Sequence, residues 1–437
     1  VSHTQSRRQF LSAAGKTAAL TGVITGLPLI VSSRAFAKGD RPAPSDRIGI
    51  GFIGVGNRAA GNIKGIMQFP QADSVAVCEV DSARLGSAKQ SVEKRSGRPC
   101  SAYADYRRLL ENKDIDAVVI TTPDHWHALQ TIHACQAGKD VYCEKPLTLA
   151  IHEGKAMVAA ARTHQRIVQT GSQQRSEGDF RRACELVRSG TIGKVHTVRA
   201  GISKVNFKGP AVIDSAPPKE LDYDFWLGPA PLRPYNEKHV HYNFRFFWDY
   251  AGGQMTNWGA HHLDIAQWGL GMDESGPISV EARGTRYNDE KLFEVPEWCE
   301  VTFQYANGTT MICGQGQPGG TTFEGEKGKI HITRKGMTCT PTDLTKEEPD
   351  TGGIRLYESS DHHGNFLDCI KSRKLPICDV AIGHRSATVC HLGNLAVRTG
   401  RKLTWDPVKE IIVGDPDAAA MLDRPYREPW SLQTFNT

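Results

Sequence analysis

Ile48-Gly49-Ile50-Gly51-Phe52-Ile53-Gly54-Val55-Gly56-Asn57-Arg58-Ala59 is the stretch on which the reading of this chain turns. An apolar run leads into a tight glycine turn, and a helical stretch over residues 59–67 follows. The glycines and Ala59 fall in the G-x-G-x-x-A spacing of a dinucleotide-binding turn. Gly54 lets the chain reverse sharply, and Gly56 carries no Cβ to hold a pyrophosphate away. Small Ala59 lets helix and strand pack closely, so that the free N–H groups of the helix N-terminus point at the phosphates. Among 43 glycines such a spacing can arise by chance. The competing reading is an α/β protein with a glycine-rich turn and no nucleotide. The flanks favour the nucleotide, because a strand precedes the turn and a helix follows it.

Working outward, Val75-Ala76-Val77-Cys78 reads as a second strand ending at Glu79. A carboxylate there suits the two ribose hydroxyls of NAD and repels the 2′-phosphate of NADP, so NAD is expected in preference to NADP. Further helices are predicted over 82–95, 106–111, 128–137 and 151–164, and strands over 116–121, 140–143 and 166–170. Strands and helices alternating at short spacing predict a doubly wound parallel sheet, a Rossmann domain, over residues 47–177. Ligands on such sheets lie beyond the carboxyl ends of the strands. There the sequence places Thr121 to His127, Glu144-Lys145-Pro146 and Gly171 to Arg175. Beyond residue 178 a helix over 180–189 precedes strand-like segments at 194–203, 278–287, 299–305, 309–314 and 328–333. That texture predicts a second α+β domain over 178–437 with a large, mainly antiparallel open sheet. Late helices over 365–372 and 384–399 are expected to return to the first domain or to cover that sheet.

The 437 residues allow two or three domains. Arg7, Arg8, Lys16 and Arg34 lie in an N-terminal stretch without acids, so the formal charge of +5 is close to neutral over the remainder. Nothing there favours nucleic acid or a membrane surface. Ser6-Arg7-Arg8-Gln9-Phe10-Leu11 resembles a twin-arginine export signal, followed by an apolar run broken by Gly22, Gly26 and Pro28 and by Ala35-Phe36-Ala37. A membrane anchor competes, but the run is short and interrupted for a span. The expectation is a signal peptide over 1–37, a linker over 38–46, passage through the twin-arginine machinery to the periplasm, and no stable membrane association after cleavage. The eleven cysteines form no C-x-x-C pair and are expected to be reduced and buried. No metal site is expected, since the adjacent histidine pairs lack carboxylates at ligand spacing.

Glu144-Lys145-Pro146 at a strand end, downstream of the glycine turn, is the point at which the chain resembles the glucose–fructose oxidoreductase / inositol dehydrogenase / rhizopine-catabolism (Gfo/Idh/MocA) family. The resemblance covers essentially everything after the signal-like segment. It implies that Lys145 lies beside the nicotinamide and the reacting hydroxyl. A second signature, Gly252-Gly253-Gln254-Met255-Thr256-Asn257-Trp258-Gly259-Ala260-His261-His262-Leu263-Asp264, matches the family pattern of glycines followed by D-x-G-x-H-x-x-D. By that match His261 is the catalytic histidine and Asp264 the later acid, while Asn257 stands where the family has its first acid. An aspartate would raise the imidazole pKa; an amide orients the ring without supplying charge. The expected catalytic set is therefore Lys145, His261, Asn257 and Asp264. The expected cofactor-binding set is Gly54, Gly56, Asn57, Arg58, Ala59, Glu79, Thr122, Pro123, His127, Glu144, Lys145 and Gln174.

Residues 223–250 hold ten aromatics, a local enrichment. Rings of this kind pack against the C–H faces of sugars, although most should form inter-domain core. Trp126, Arg175, Tyr242, Arg245, Trp248, Trp258 and His262 are the expected substrate-binding residues. The chemistry expected is hydride transfer between a sugar carbon and a tightly held nicotinamide, with His261 taking the hydroxyl proton and Lys145 stabilising the alkoxide. A transient oxidation–elimination–reduction that hydrolyses a glycoside is the alternative. A non-enzymatic sugar or nucleotide binder is a third reading. The resemblance also implies a homodimer or homotetramer.

Overall fold

The structure is a computed structural model that describes residues 42–345 and 354–432. The signal-like segment, and the linker up to residue 41, lie outside the described residues. Pro44–Asp46 form a short 3-10 turn.

From Arg47 onward the chain opens with β1 (Ile48–Ile53), buried along its whole length, followed by α1 (Ala59–Met67), β2 (Ala72–Cys78) and α2 (Ser82–Ser96). Then come β3 (Ser101–Tyr103), α3 (Tyr106–Leu110), β4 (Ala117–Ile120), α4 (Asp124–Gln136), β5 (Asp140–Cys143), α5 (Ile151–Thr163) and β6 (Val168–Thr170). The six strands form one sheet in the order β3-β2-β1-β4-β5-β6, with every pair parallel. The order reverses between β1 and β4, which opens a crevice beyond their carboxyl ends. Register decides what meets there. Cys78, Ile53, Ile120, Cys143 and Thr170 lie side by side across the sheet. The residues that follow them, Glu79, Gly54, Thr121, Glu144 and Gly171, therefore leave at one rim.

One boundary matters for the site. The sequence predicts a helix from residue 128, but α4 begins at Asp124. Pro123 stands at the N-cap with φ −59° and ψ 153°, a geometry suited to the residue before a first helical turn. Asp124, His125, Trp126 and His127 are thus held on a rigid element.

The second half comprises α6 (Gly178–Arg188), β7 (Val195–Gly201), α7 (Tyr223–Leu227), α8 (Gly253–Asn257), α9 (Gly259–Leu270), β8 (Ser279–Arg286), β9 (Trp298–Gln304) and β10 (Thr310–Gly314). It continues with β11 (Gly320–Gly325), β12 (Gly328–Thr333), β13 (Gly336–Thr340), α10 (His362–Ser372), α11 (Val380–Thr399), β14 (Leu403–Asp406), β15 (Ile411–Val413) and α12 (Pro416–Ala420). Nine strands form a sheet ordered β13-β12-β11-β7-β10-β9-β8-β14-β15, antiparallel except where β7 meets β10. In β9, Cys299, Val301 and Phe303 turn inward and alternate with half-buried Glu300 and Thr302. The inward face packs on Leu186 of α6, Leu263 of α9 and Leu392 of α11.

Of the late helices, α10 returns to the first sheet, where Phe366 and Leu367 join the core of Ile48, Ile50 and Tyr142. The longer α11 covers the second sheet and also packs against α5. The end of the described chain crosses back as well: the Arg424 guanidinium and the Tyr426 hydroxyl each donate to Glu153 of α5 at 2.7 Å. All eleven cysteines are free and buried. No helix among the described residues is long and apolar enough to cross a membrane.

Candidate active site

The crevice at the strand rim is an open cleft with a cavity volume of about 300 Å³. At one end is the glycine turn. Gly54 has φ +78°, and a Cβ there would lie 2.7 Å from the Thr122 nitrogen, so only glycine lets β1 turn against β4. A Cβ on Gly56 would meet nothing nearer than Arg84 Nη1 at 3.6 Å, which leaves the backbone approachable by a large group. The α1 N-terminus carries no acid in its first turn and no side-chain cap, so its N–H dipoles face the cleft uncompensated. Ala59, wholly buried, packs α1 on the sheet and does not line the cleft. This cradle fits the dinucleotide that the glycine spacing implies, with a diphosphate over Gly54, Gly56, Asn57 and Arg58.

Glu79 follows β2 and lines the same end. Its carboxylate accepts the N–H groups of Val55 at 3.0 Å and Val80 at 2.9 Å, tying the glycine turn to the neighbouring strand. Burial raises its pKa, with these hydrogen bonds and Arg84 pulling the other way.

Beside the glycine turn Glu144 accepts from Arg58 Nε at 2.7 Å and from Asn62 Nδ2 of α1 at 3.0 Å. Burial alone would raise the Glu144 pKa, but Arg58, Lys145 and Asn62 outweigh it and hold the carboxylate ionised. Lys145 then reaches across to the second half of the chain and donates to Asn257 Oδ1 at 2.9 Å and to the Asn257 carbonyl at 3.1 Å. Asn257 Nδ2 in turn donates to Gln254 Oε1 at 3.0 Å, which fixes the amide with its oxygen toward the ammonium. Burial lowers the Lys145 pKa, opposed by Glu144 and Asp124. Thr122 donates to Gln130 at 2.8 Å, and His127 contacts the Pro146 and Thr122 carbonyls through its two ring nitrogens at 2.7 and 2.9 Å. His127 therefore braces the Lys145-Pro146 turn from α4.

His261 is buried on α9 and is not among the residues lining the cleft. Its pKa is held well below the ordinary value, first by burial and then by the positive charges of Lys145 and Arg334. The ring is neutral at neutral pH, with Nδ1 buried and unpartnered. Gln174 also lies off the cleft: its amide donates to the His261 carbonyl at 3.2 Å and accepts from Arg334.

Several expected residues are placed elsewhere. Asp264 is 1% exposed and grips Arg175, also 1% exposed, through both carboxylate oxygens at 2.8–3.0 Å, with Ser386 donating a further bond. Asp273 takes the remaining Arg175 valences. Neither Asp264 nor Arg175 lines the cleft; a buried cation this deep needs such partners, and the pair satisfies itself. This corrects the expectation of Asp264 as a catalytic acid and of Arg175 as a substrate ligand. His262 turns its Nδ1 to the Gly201 carbonyl of β7 at 2.5 Å, Trp258 lies under Arg334, and Trp248 lies under Arg398. These three likewise do not line the cleft: His262 is buried beside the second sheet, Trp258 is half-buried against the same core, and Trp248 is half-buried against the aromatic cluster of Phe246 and Tyr250. Tyr242, Arg245 and Trp126 do line it. Trp126 is nevertheless fixed, its indole donating to the Trp226 carbonyl at 3.0 Å and its ring meeting Trp430 edge-on. Phe225, Trp226 and Phe244 complete the aromatic wall. Sequence reading placed Asp124 in the strand-end segment but gave it no role; it also lines the cleft, and an acid in the first turn after a strand-end proline was the available signal. Among the described residues no cluster of His, Cys, Asp or Glu is placed to hold a metal ion.

Comparison with known proteins agrees with this geometry. A profile described as "Oxidoreductase family, NAD-binding Rossmann fold" matches residues 48–172, and one described as "Oxidoreductase family, C-terminal alpha/beta domain" matches residues 183–432. The chain belongs to the Gfo/Idh/MocA oxidoreductase family. A glycosyl hydrolase family 109 protein of Shewanella pealeana is 30% identical over 203 residues, 44% of this chain and 44% of that protein. The chain thus matches less than half the length of that curated relative. Myo-inositol 2-dehydrogenase of Thermotoga maritima is 31% identical over 70% of this chain and 81% of that enzyme. Among solved structures, the WlbA dehydrogenase of Bordetella pertussis, in complex with NADH and UDP-GlcNAcA, superposes with a TM-score of 0.61 at 19% identity, over 82% of this chain and 99% of that one. The first half of the Gfo/Idh/MocA chain is an NAD-binding domain, as the glycine turn implies.

Proposed function

We propose that this protein is an oxidoreductase that moves a hydride between a CH–OH carbon of a sugar or glycoside and NAD. One observation carries the reading: the Lys145 ammonium stands in the cleft that begins at the glycine turn, held by an amide from the other half of the chain. Gly54, Gly56, Asn57, Arg58 and Glu79 would hold the dinucleotide, with Thr122, Pro123 and Glu144 along its course. Bound NAD would supply the hydride acceptor. Lys145 places a positive charge where an alkoxide develops, and its donors need no reorganisation because Asn257 already orients them. The aromatic wall of Phe225, Trp226, Tyr242 and Phe244 suits the C–H faces of a pyranose.

The relatives named glycosyl hydrolase family 109 support a second reading, a glycoside hydrolase that oxidises, eliminates and re-reduces its substrate on the same cofactor. Ser6-Arg7-Arg8-Gln9-Phe10-Leu11 supports an exported enzyme that folds around its NAD beforehand. A cofactor retained through export would have to be reset on the enzyme, which both reactions accomplish.

The test is spectroscopic. Purified protein is assayed for bound nicotinamide, then offered a carbohydrate panel while reduced-cofactor absorbance is followed. Absorbance that rises and persists supports the oxidoreductase, and glycoside cleavage without net redox change supports the hydrolase. Bound NAD with neither response to any carbohydrate overturns both.

A further inference from the structure

Asp124 is an acid that none of the contacts above explains. Among the described residues the other deeply buried acids are paired: Glu144 with Arg58, Glu153 with Arg424, Asp264 with Arg175, Asp379 with Arg162, Asp140 with Arg373 and Glu185 with Arg181. Asp124 is 7% exposed, and its carboxylate finds no hydrogen bond beyond its own backbone N–H. Carboxylates so far from water are normally matched by a donor. This one is turned into the cleft at the first position of α4, where the helix dipole favours its charge. It follows β4 as Lys145 follows neighbouring β5, so the two line the same stretch of wall with Arg245.

We propose that Asp124 is the catalytic base that receives the proton of the substrate hydroxyl, with Lys145 facing the same oxygen. The assignment rests on the oxidoreductase reading above. In the step, the O–H bond breaks toward an Asp124 oxygen and its electron pair becomes the carbonyl π bond. The C–H pair leaves as hydride to the nicotinamide, the oxidant. Asp124 ends as the neutral acid and Lys145 remains an ammonium throughout.

The alternative base is less well placed. His261 does not line the cleft, and the cations around it disfavour the imidazolium that proton transfer would create. Asn257 occupies the position where a carboxylate would offset them and offers only an amide. Asp124 has the opposite surroundings. Burial raises its pKa, Lys145 and Arg245 restrain the rise, and Glu144 adds to it. Of the other charged or titratable groups here, Arg58 is neutralised by Glu144, and His127 is committed to the Pro146 and Thr122 carbonyls. A base shifted toward neutrality from the ordinary aspartate value is better matched to abstracting an alcohol proton.

The experiment uses full-length protein with its bound NAD, labelled with aspartate 13C-enriched at the side-chain carboxyl. Loss of one resonance in Asp124→Asn assigns the signal. Its midpoint in the wild type is expected well above the ordinary value of about 3.9, and higher still in Lys145→Met. A midpoint at or below the ordinary value overturns the proposal. In parallel, reduction of bound NAD is followed in a single turnover with a sugar active on the wild type. Asp124→Asn should slow it by about 100-fold or more and abolish the acidic limb of its pH profile, with NAD content unchanged. Similar rates in the variant and the wild type sink this assignment and leave the oxidoreductase reading standing. If no carbohydrate reduces the wild type's NAD, that reading fails and the assignment falls with it.

Discussion

Lys145 and Asn257 join the two halves of this protein in the wall of the cleft, the ammonium donating to both oxygens of the asparagine at 2.9 and 3.1 Å. The lysine comes from a strand of the parallel sheet and the asparagine from the short helix α8. Gln254 holds the asparagine amide in place, and the ammonium completes the link.

That pairing predicts the effect of restoring an acid. Asn257→Asp adds a negative charge against the Lys145 ammonium, which favours the protonated amine and raises its pKa from a value that burial has lowered. The same charge disfavours ionisation of Asp124 and raises its pKa too. Both limbs of the pH–rate profile should therefore move to higher pH, by about one unit. A profile that stays in place would uncouple position 257 from the reacting groups.

Arg175 and Asp264 should behave as structure. Arg175→Met leaves the Asp264 carboxylate buried with Ser386 as its one remaining donor, and unfolding stability should fall by about 3–5 kcal/mol. Denaturant titration measures this. Protein of Asp264→Asn that still folds should keep the wild-type pH profile. A displaced profile would return Asp264 to the chemistry.

Gly54→Ala would force a side chain into the left-handed region at φ +78° and against the Thr122 backbone. The strain should cost about 1–3 kcal/mol and weaken NAD binding more than it weakens the fold, since β1 and β4 must part at the cradle itself. Calorimetry on NAD-stripped protein reports the first effect and the urea midpoint the second. Equal affinity in the variant would remove Gly54 from the cofactor site.

Glu79→Ala removes the acceptor of the Val55 and Val80 N–H groups together with the charge expected to exclude a 2′-phosphate. Loss of hydrogen bonds to a charged group of this kind costs about 1.5–3 kcal/mol, so NAD affinity should fall by roughly 10- to 100-fold. NADP should lose less, because Arg84 lies at the same end of the cleft. An unchanged NAD-to-NADP ratio would show that the ribose is read elsewhere.

Local pattern was enough for most of the first domain, short β3 and the first turn of α4 excepted. The glycine spacing, the alternation of strands and helices and the Glu144-Lys145-Pro146 turn are encoded within short windows, because a buried parallel strand must be continuously apolar and a tight turn must carry glycine. The short strands β11, β13, β14 and β15 were not legible. β11 and β14 pair with β7 and β8, far away in sequence, while β13 and β15 are short edge strands whose half-exposed faces dilute the apolar signal.

The sequence by itself determined which groups this chain carries: a dinucleotide turn, a lysine at a strand end, an amide four residues before a histidine pair, and a belt of aromatics. Only the tertiary structure decided which of them meet. Register aligned five strand ends at one rim, and the start of α4 turned Asp124 into the cleft. Packing withdrew Asp264, Arg175 and His262 into the core, because a buried charge or ring nitrogen goes wherever a partner can satisfy it. No spacing along the chain records where that partner will be.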